Sequence, residues 1–245
     1  MKVYGHDVPN ILIKVFEEEE YAKSLMAGIL YMKECDYFRK IEEDHRGDYW
    51  DSRIHARLEN NLVRRNNIDG TIERFSDIFP GMIAYGINGI EGDNKFPIFC
   101  STLFNENIIS KNVHINGTSK TFKFKNSYIN ESRELGKYAV VFSASELLSK
   151  IKAKVDAKEY KEVIGDVVNY WDIHTLYKFH DIYPYVRNYR YFFNKDLKYK
   201  NQNEYRILIP DNTLIEKDKD YYKMSVGELT SAKLCPIEEF YEITI

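Results

Sequence analysis

The apolar residues of this 245-residue chain come in short runs, and that limits its fold more than any other feature. NILIKVF (10–16), LYM (30–32), residues 81–85, FPIFCSTLF (96–104), YAVVF (138–142), EVIGDVVNYW (162–171) and YRILIP (205–210) are all of strand length. A closing strand is expected near 240–245. None of these runs approaches the ~20 apolar residues that cross a bilayer as a helix. Helical periodicity is well marked in two places. At 17–27, Glu17 to Glu20 sit where a helix dipole favours negative charge, Tyr21, Leu25, Met26 and Ile29 share a face, and Gly28 is a stop. At 143–155, Ser143 and Glu146 fit a capping box ahead of an apolar stripe of Leu147, Leu148, Ile151 and Val155. Strands outnumber long helices and do not alternate with them. That pattern predicts an α+β fold with mixed or antiparallel sheets, not a doubly wound parallel one.

No Pro-, Gly- or Ser-rich linker and no repeat divides the chain, so residues 1–245 are expected to form a single domain. The polar stretches 86–95 and 105–120 read as loops. At 44% hydrophobic and 30% charged residues the composition is that of a globular chain, and low-complexity, collagen-like and coiled-coil architectures are excluded. A net charge of −3 excludes a globally basic surface and leaves room only for a local patch that binds nucleic acid. Cys35, Cys100 and Cys235 are scattered singly, without CxxC, which points to reduced thiols in a cytoplasmic protein. His174 and His180 miss the i, i+4 spacing of a helical metal pair, and no metal site is expected. The N-terminus lacks the apolar core of a signal peptide, so no membrane partner is expected. Without GxGxxG or GxxxxGK[ST], Rossmann-type dinucleotide binding and P-loop chemistry are disfavoured.

The richest stretch is RYFFNKDLKYKNQNEYRILIP (190–210). Gln202 and Glu204 stand two apart before a strand, where an extended backbone would point both the same way. A carboxylate at a strand entrance is expected outside the core. Arg190, Lys195, Lys198, Lys200 and Arg206 alternate with Tyr191, Phe192, Phe193, Tyr199 and Tyr205. Cations interleaved with flat rings suit a ligand carrying phosphates and bases. From Arg187 to Lys200 the stripe also fits single-stranded RNA, with Tyr189, Tyr191 and Tyr199 as stacking rings and Phe192 and Phe193 drawn toward the core. A second dense segment, 37–51, holds Tyr37, Arg39, Glu42, His45, Arg46, Asp48, Trp50 and Asp51. Its two arginines and its rings are candidates to clamp a pyrophosphate and stack a base.

A Gln-x-Glu turn before a strand resembles ADP-ribosyltransferases of the Arg–Ser–Glu type. GILYM (28–32), YFRKIEEDHRGDYWD (37–51) and FFNKDLKYKNQNEYRILI (192–209) are similar to segments of small bacterial toxin and phage-defence proteins of that kind. The resemblance implies split mixed or antiparallel sheets with flanking helices, and NAD as co-substrate. It also implies a macromolecular acceptor, single-stranded RNA being one, and an antitoxin protein as a further partner. Glu204 would stabilise the oxocarbenium charge on the ribose. Gln202, an amide that does not ionise, would orient the acceptor. Ser101 would lie under the nicotinamide ribose. Lys14 stands where the family has a phosphate-gripping Arg, and it lacks the bidentate fork, so Tyr37, Arg39 and Arg46 share the expected NAD-binding role. Two other readings stay open. Asp196, Glu204 and Arg206 loosely echo a metal-dependent nuclease core, although Arg206 cannot act as a base. Alternatively the chain is a non-catalytic nucleotide- or partner-binding module in which Gln202 and Glu204 are ordinary surface groups.

Overall fold

The computed structural model describes residues 11–40, 52, 56–57, 63–65, 72–74, 95–116, 119–172, 175, 177–178, 189–216 and 218–244. For 39–40, 56–57, 63–65, 72–74, 111–116, 119 and 177–178 the backbone alone is described. The strands are β1 (Ile11–Phe16), β2 (Ile29–Glu34), β3 (Ala56–Arg57), β4 (Val63–Arg65), β5 (Ile72–Arg74), β6 (Pro97–Leu103), β7 (Ile109–Asn116), β8 (Ser119–Phe124) and β9 (Tyr138–Ser143). They continue with β10 (Ile164–Val167), β11 (Asn169–Trp171), β12 (Tyr177–Lys178), β13 (Asn194–Asp196), β14 (Glu204–Leu208), β15 (Tyr221–Ser225), β16 (Lys233–Pro236) and β17 (Glu242–Thr244). The helices are α1 (Glu19–Met26), α2 (Cys35–Lys40), α3 (Asn126–Leu135) and α4 (Ala144–Asp156).

The main sheet is antiparallel and runs β10-β14-β6-β1-β9-β16. It forks at β6. One edge of β6 pairs with β14 from Ile98 to Thr102; the other pairs with β1 at Thr102–Leu103 and with β2 at Pro97–Ile98. Strand β2 then leads away to β15. Between the two branches no strand among the described residues lies beside the edge of β6, and the Lys14 ammonium reaches in to donate to the Cys100 carbonyl (2.6 Å).

Period-two alternation sorts the core into layers. Leu12, Phe99, Val140, Tyr205 and Ile207 face α1 and α4, packing on Leu25, Leu147 and Ile151. On the other face, Ile13 and Ala139 meet Phe122, Phe124, Tyr128 and Phe240, from the β7-β8-β17 sheet, α3 and the C-terminal turn. Beyond β6 the same face continues as Ile98 and Leu208 against Tyr191, Phe192, Phe193 and Cys35. Both phenylalanines are enclosed, as expected, and burying each contributes ~1.5–3 kcal/mol.

Most expected elements form where the sequence marks them, with instructive departures. Stretch 105–120, expected as a loop, contains most of the β7–β8 hairpin: its β-branched residues outweigh its polar content. Stretch 162–171 is two strands, because the Val168 N–H turns aside to the Glu204 carbonyl (2.9 Å) and β11 pairs in parallel with β13. Tyr21 lies outside the apolar seam of α1, 58% exposed. The capping box is half realised. Ser143 Oγ accepts the Glu146 N–H (3.2 Å), but the Glu146 carboxylate turns to the Thr230 and Ser231 N–H groups (2.8 and 2.9 Å). Burial would raise its pKa, yet the Ser231 and Thr230 donors pull it down to about 2. Segments 81–85 and 86–94 lie outside the described residues. Among the described residues no helix is long and apolar enough to cross a membrane.

Gly28 ends α1 as expected, with φ +82°. A Cβ there would lie 1.9 Å from the Gly227 carbonyl oxygen, while the Gly28 carbonyl accepts the Val226 N–H (2.8 Å). The α1–β2 turn is thus clamped backbone to backbone onto the C-terminal segment. Gly28→Ala is expected to cost at least ~2 kcal/mol, from left-handed backbone strain and the forced separation. Urea unfolding of the variant checks this.

Candidate functional site

The 189–208 segment builds the site by burying rings first. Tyr189, in left-handed backbone (φ 64°), starts a 3-10 turn, Arg190–Phe193, that sinks Tyr191, Phe192 and Phe193 into the core. Strand β13 follows, held by Trp171 Nε1 donating to Asn194 Oδ1 (3.0 Å) and by the Ser52 N–H donating to the Asn194 carbonyl (2.8 Å). Asp196 accepts the Lys198 N–H and opens a second 3-10 turn, Leu197–Gln202. Asn203 then takes left-handed backbone (φ 47°, ψ 51°), a conformation its short amide tolerates. Asn105 and Asn107 donate to its Oδ1 (3.1 and 3.2 Å), its Nδ2 donates to the Leu103 carbonyl, and its own carbonyl accepts the Leu103 N–H (2.8 Å). The turn before β14 is therefore pinned to the end of β6.

This pivot brings Gln202 and Glu204 together. Lys195 Nζ donates to Gln202 Oε1 (2.7 Å) and to Glu204 Oε2 (3.1 Å), and lies over the Tyr199 ring. The two side chains converge as expected, but through a 3-10 end and a left-handed residue rather than through extended alternation. Arg206 grips Glu204 from the other side, Nε to Oε1 (2.7 Å) and Nη2 to Oε2 (3.4 Å), while its Nη1 donates to the Phe192 carbonyl (2.6 Å). The Glu204 N–H is held by the Tyr170 hydroxyl (2.8 Å). Lys195, Glu204 and Arg206 are 6%, 7% and 1% exposed. Glu204 is thus a core carboxylate, contrary to its expected place outside the core. Burial alone would raise its pKa, but Arg206 and Lys195 outweigh it and hold the carboxyl well below the usual range. The half-buried Cys100 thiol beside Glu204 is pushed up by burial and by that negative charge.

The other expected site residues are dispersed. Glu204, Ser101 and Lys14 sit on three adjacent strands, β14, β6 and β1. Ser101 pairs with Tyr205 and donates to its carbonyl (3.4 Å), so it faces away from Glu204; the hydroxyl-bearing residue opposite Glu204 is Thr102. Lys14 shares the Leu12 face and lies over the Phe99 ring (4.8 Å). Tyr37 lies under the Lys33 ammonium (4.0 Å), Arg39 is on α2, and Arg46 lies outside the described residues, as do His45, Asp48, Trp50 and Asp51. The RNA stripe is corrected: Tyr191 and Tyr199 are 5% and 8% exposed and Lys195 is spent on Glu204, leaving Arg190, Lys198 and Lys200 in solvent. Arg187 is outside the described residues. Asp196 is spent on the Lys198 N–H and both Glu204 oxygens are ion-paired. This works against the nuclease reading, and among the described residues no His, Cys, Asp and Glu cluster is arranged for a metal. Asn105, Asn107, Asn203 and Tyr170 were not singled out from sequence. The only signal for the three asparagines is that asparagine suits turns.

Comparison with protein-family models, with curated proteins and with solved structures finds no match.

Glu204→Gln leaves two buried cations facing a neutral amide, and breaking such a pair costs about 3–5 kcal/mol. The native pKa of Glu204 lies below the ordinary carboxylate value, so its contribution is complete above that value and is lost as pH falls through the native pKa. Urea unfolding should show the loss at pH 7, with the gap between wild type and Glu204→Gln narrowing in acid.

Proposed function

We propose that this protein is an NAD-dependent ADP-ribosyltransferase acting on a macromolecular acceptor. The observation that carries the proposal is the convergence of the Gln202 amide and the ionised Glu204 carboxylate on one ammonium, Lys195. In transfer, the bond between nicotinamide and ribose C1′ breaks and nicotinamide leaves with the electron pair. Positive charge grows on the sugar, an acceptor atom bonds to C1′, and that acceptor loses a proton. A carboxylate held ionised at neutral pH is the group suited to such a transition state. Lys195 marks the point where ribose hydroxyls would exchange for an ammonium at Glu204 Oε2. The excess positive charge of Lys195 and Arg206 over Glu204 suits a diphosphate nearby. Lys14 reaches NAD in this scheme through the fork between β1 and β2, where it touches Cys100. Tyr37, Arg39 and Arg46 remain proposed NAD contacts. The role of toxin or phage-defence effector, with an antitoxin as partner, rests on the resemblance alone.

A second reading, a non-catalytic nucleotide- or partner-binding module, is favoured by one observation: both Glu204 oxygens are already ion-paired. NAD turnover separates the two. Incubated with adenylate-labelled NAD, RNA and protein extract, the transferase should place label on a polymer, identified by nuclease or protease digestion, and should tolerate chelator. Glu204→Asp, which keeps the charge but withdraws the carboxylate by about one methylene, should lower turnover at least ~100-fold while the chain stays folded. Gln202→Ala should reduce transfer more than hydrolysis of NAD. No hydrolysis and no transfer by wild type would leave the binding module.

A further inference from the structure

We propose that the outer face of β2 and β15 binds single-stranded RNA, the acceptor class in the transfer proposed above, on which this inference rests. In the β2–β15 pairing, Tyr31 lies opposite Lys223 and Lys33 opposite Tyr221. Directly paired residues share a face, so four adjacent positions present tyrosine and lysine in a checkerboard. The reverse face carries Leu30, Met32 and Met224 into the core. The Tyr31 and Tyr221 rings stack at 4.8 Å and 21°, and Tyr21 of α1 extends the row at 6.5 Å from Tyr31. The exposure of Tyr21, a cost for an isolated apolar ring, has a use at the end of such a row.

Cations surround the rings. Lys33 lies 5.4 Å from the Tyr31 ring and 5.9 Å from that of Tyr221, and Lys219 and Lys223 lie 5.9 and 5.8 Å from Tyr221. Lys33 pairs with Asp220 and Lys219 with Glu216, at 2.8 Å each, surface pairs of small net worth in which a phosphate can replace the carboxylate. Lys223 is exposed and lines a cleft of about 90 Å³ together with Tyr21, Tyr31, Phe99, Lys14 and the acidic Glu20. Tyr21 is exposed and Tyr31 and Tyr221 are half-buried; rings edged by lysines are how proteins hold single strands, with bases stacking on the rings and phosphates meeting the cations. An acidic protein would use the lysines but would leave the rings without flat partners. The cleft also places this face beside the site. Lys14, one of its lining residues, touches the Cys100 carbonyl, and the Cys100 thiol faces Glu204.

The test is fluorescence anisotropy with a labelled RNA of about 12 nucleotides, without NAD, so that failure of binding and failure of catalysis are read separately. Wild type should bind at low salt and weaken as salt rises. Tyr31→Ala and Tyr221→Ala should each weaken binding about fivefold to a hundredfold. Lys219→Glu with Lys223→Glu, both at exposed positions, should flatten the salt slope by roughly 0.7 per lost contact. The inference is overturned if wild type does not bind at low salt, or if neither set of variants changes binding. It is equally overturned if poly-glutamate displaces the RNA as well as unlabelled RNA does, since the face would then read charge alone.

Discussion

A guanidinium at 1% exposure has to be satisfied, and the segments around the candidate site are arranged to satisfy that of Arg206. Taking such an ion out of water costs several kcal/mol, recovered only with good geometry on every donor. Glu204 supplies both oxygens, the Phe192 carbonyl a third acceptor, and the Ser52 hydroxyl lies at 3.5 Å. These contacts fix the 3-10 turn at Arg190–Phe193 against β14 and so place three aromatic side chains in the core. Lys195 then adds a second cation to the same carboxylate and binds Gln202 to it. A single buried carboxylate therefore organises the packing of the segment and presents the amide–carboxylate pair on which the proposed chemistry depends. Its removal is a structural event before it is a catalytic one.

The fork of β6 is the second constraint. A strand edge shared by two diverging partners leaves a length of backbone without ladder bonds, and such groups must find other donors. Lys14 provides one at Cys100. The fork thereby links the two faces of the sheet at one residue, with Lys14 on the carbonyl side and Glu204 on the thiol side. It also gives β2 and β15 an outer face on which tyrosines and lysines alternate.

Much of this was legible in the sequence because it depends on local patterns. The short apolar runs announced β1, β2, β6, β9 and β14, Gly28 marked the end of α1, and Ser143 marked the start of α4. The convergence of Gln202 and Glu204 was also legible, though its mechanism was not: an αL asparagine, pinned by Asn105 and Asn107 about a hundred residues away in sequence, replaces strand alternation. What sequence could not show is which neighbours each polar group meets. Glu146 left its expected capping partner because Thr230 and Ser231 offer four donors from the far end of the chain. Ser101 and Thr102 are adjacent in sequence yet face opposite sides of β6, and only the register with β14 decides which one faces Glu204. The stripe from Arg187 to Lys200 looked like a surface because its cations and rings alternate. In the structure that alternation pairs Lys195 with Glu204 and turns the rings inward.

The central claim is that Glu204 is ionised and held so by Arg206 and Lys195. Carbon-13 NMR of glutamate-labelled protein, with the Glu204 carboxyl assigned by its absence in Glu204→Gln, tests it directly. The account predicts a resonance that stays at the ionised position as pH falls through the ordinary carboxylate range, moving only in stronger acid or on unfolding. A titration midpoint at or above the ordinary glutamate value would contradict it.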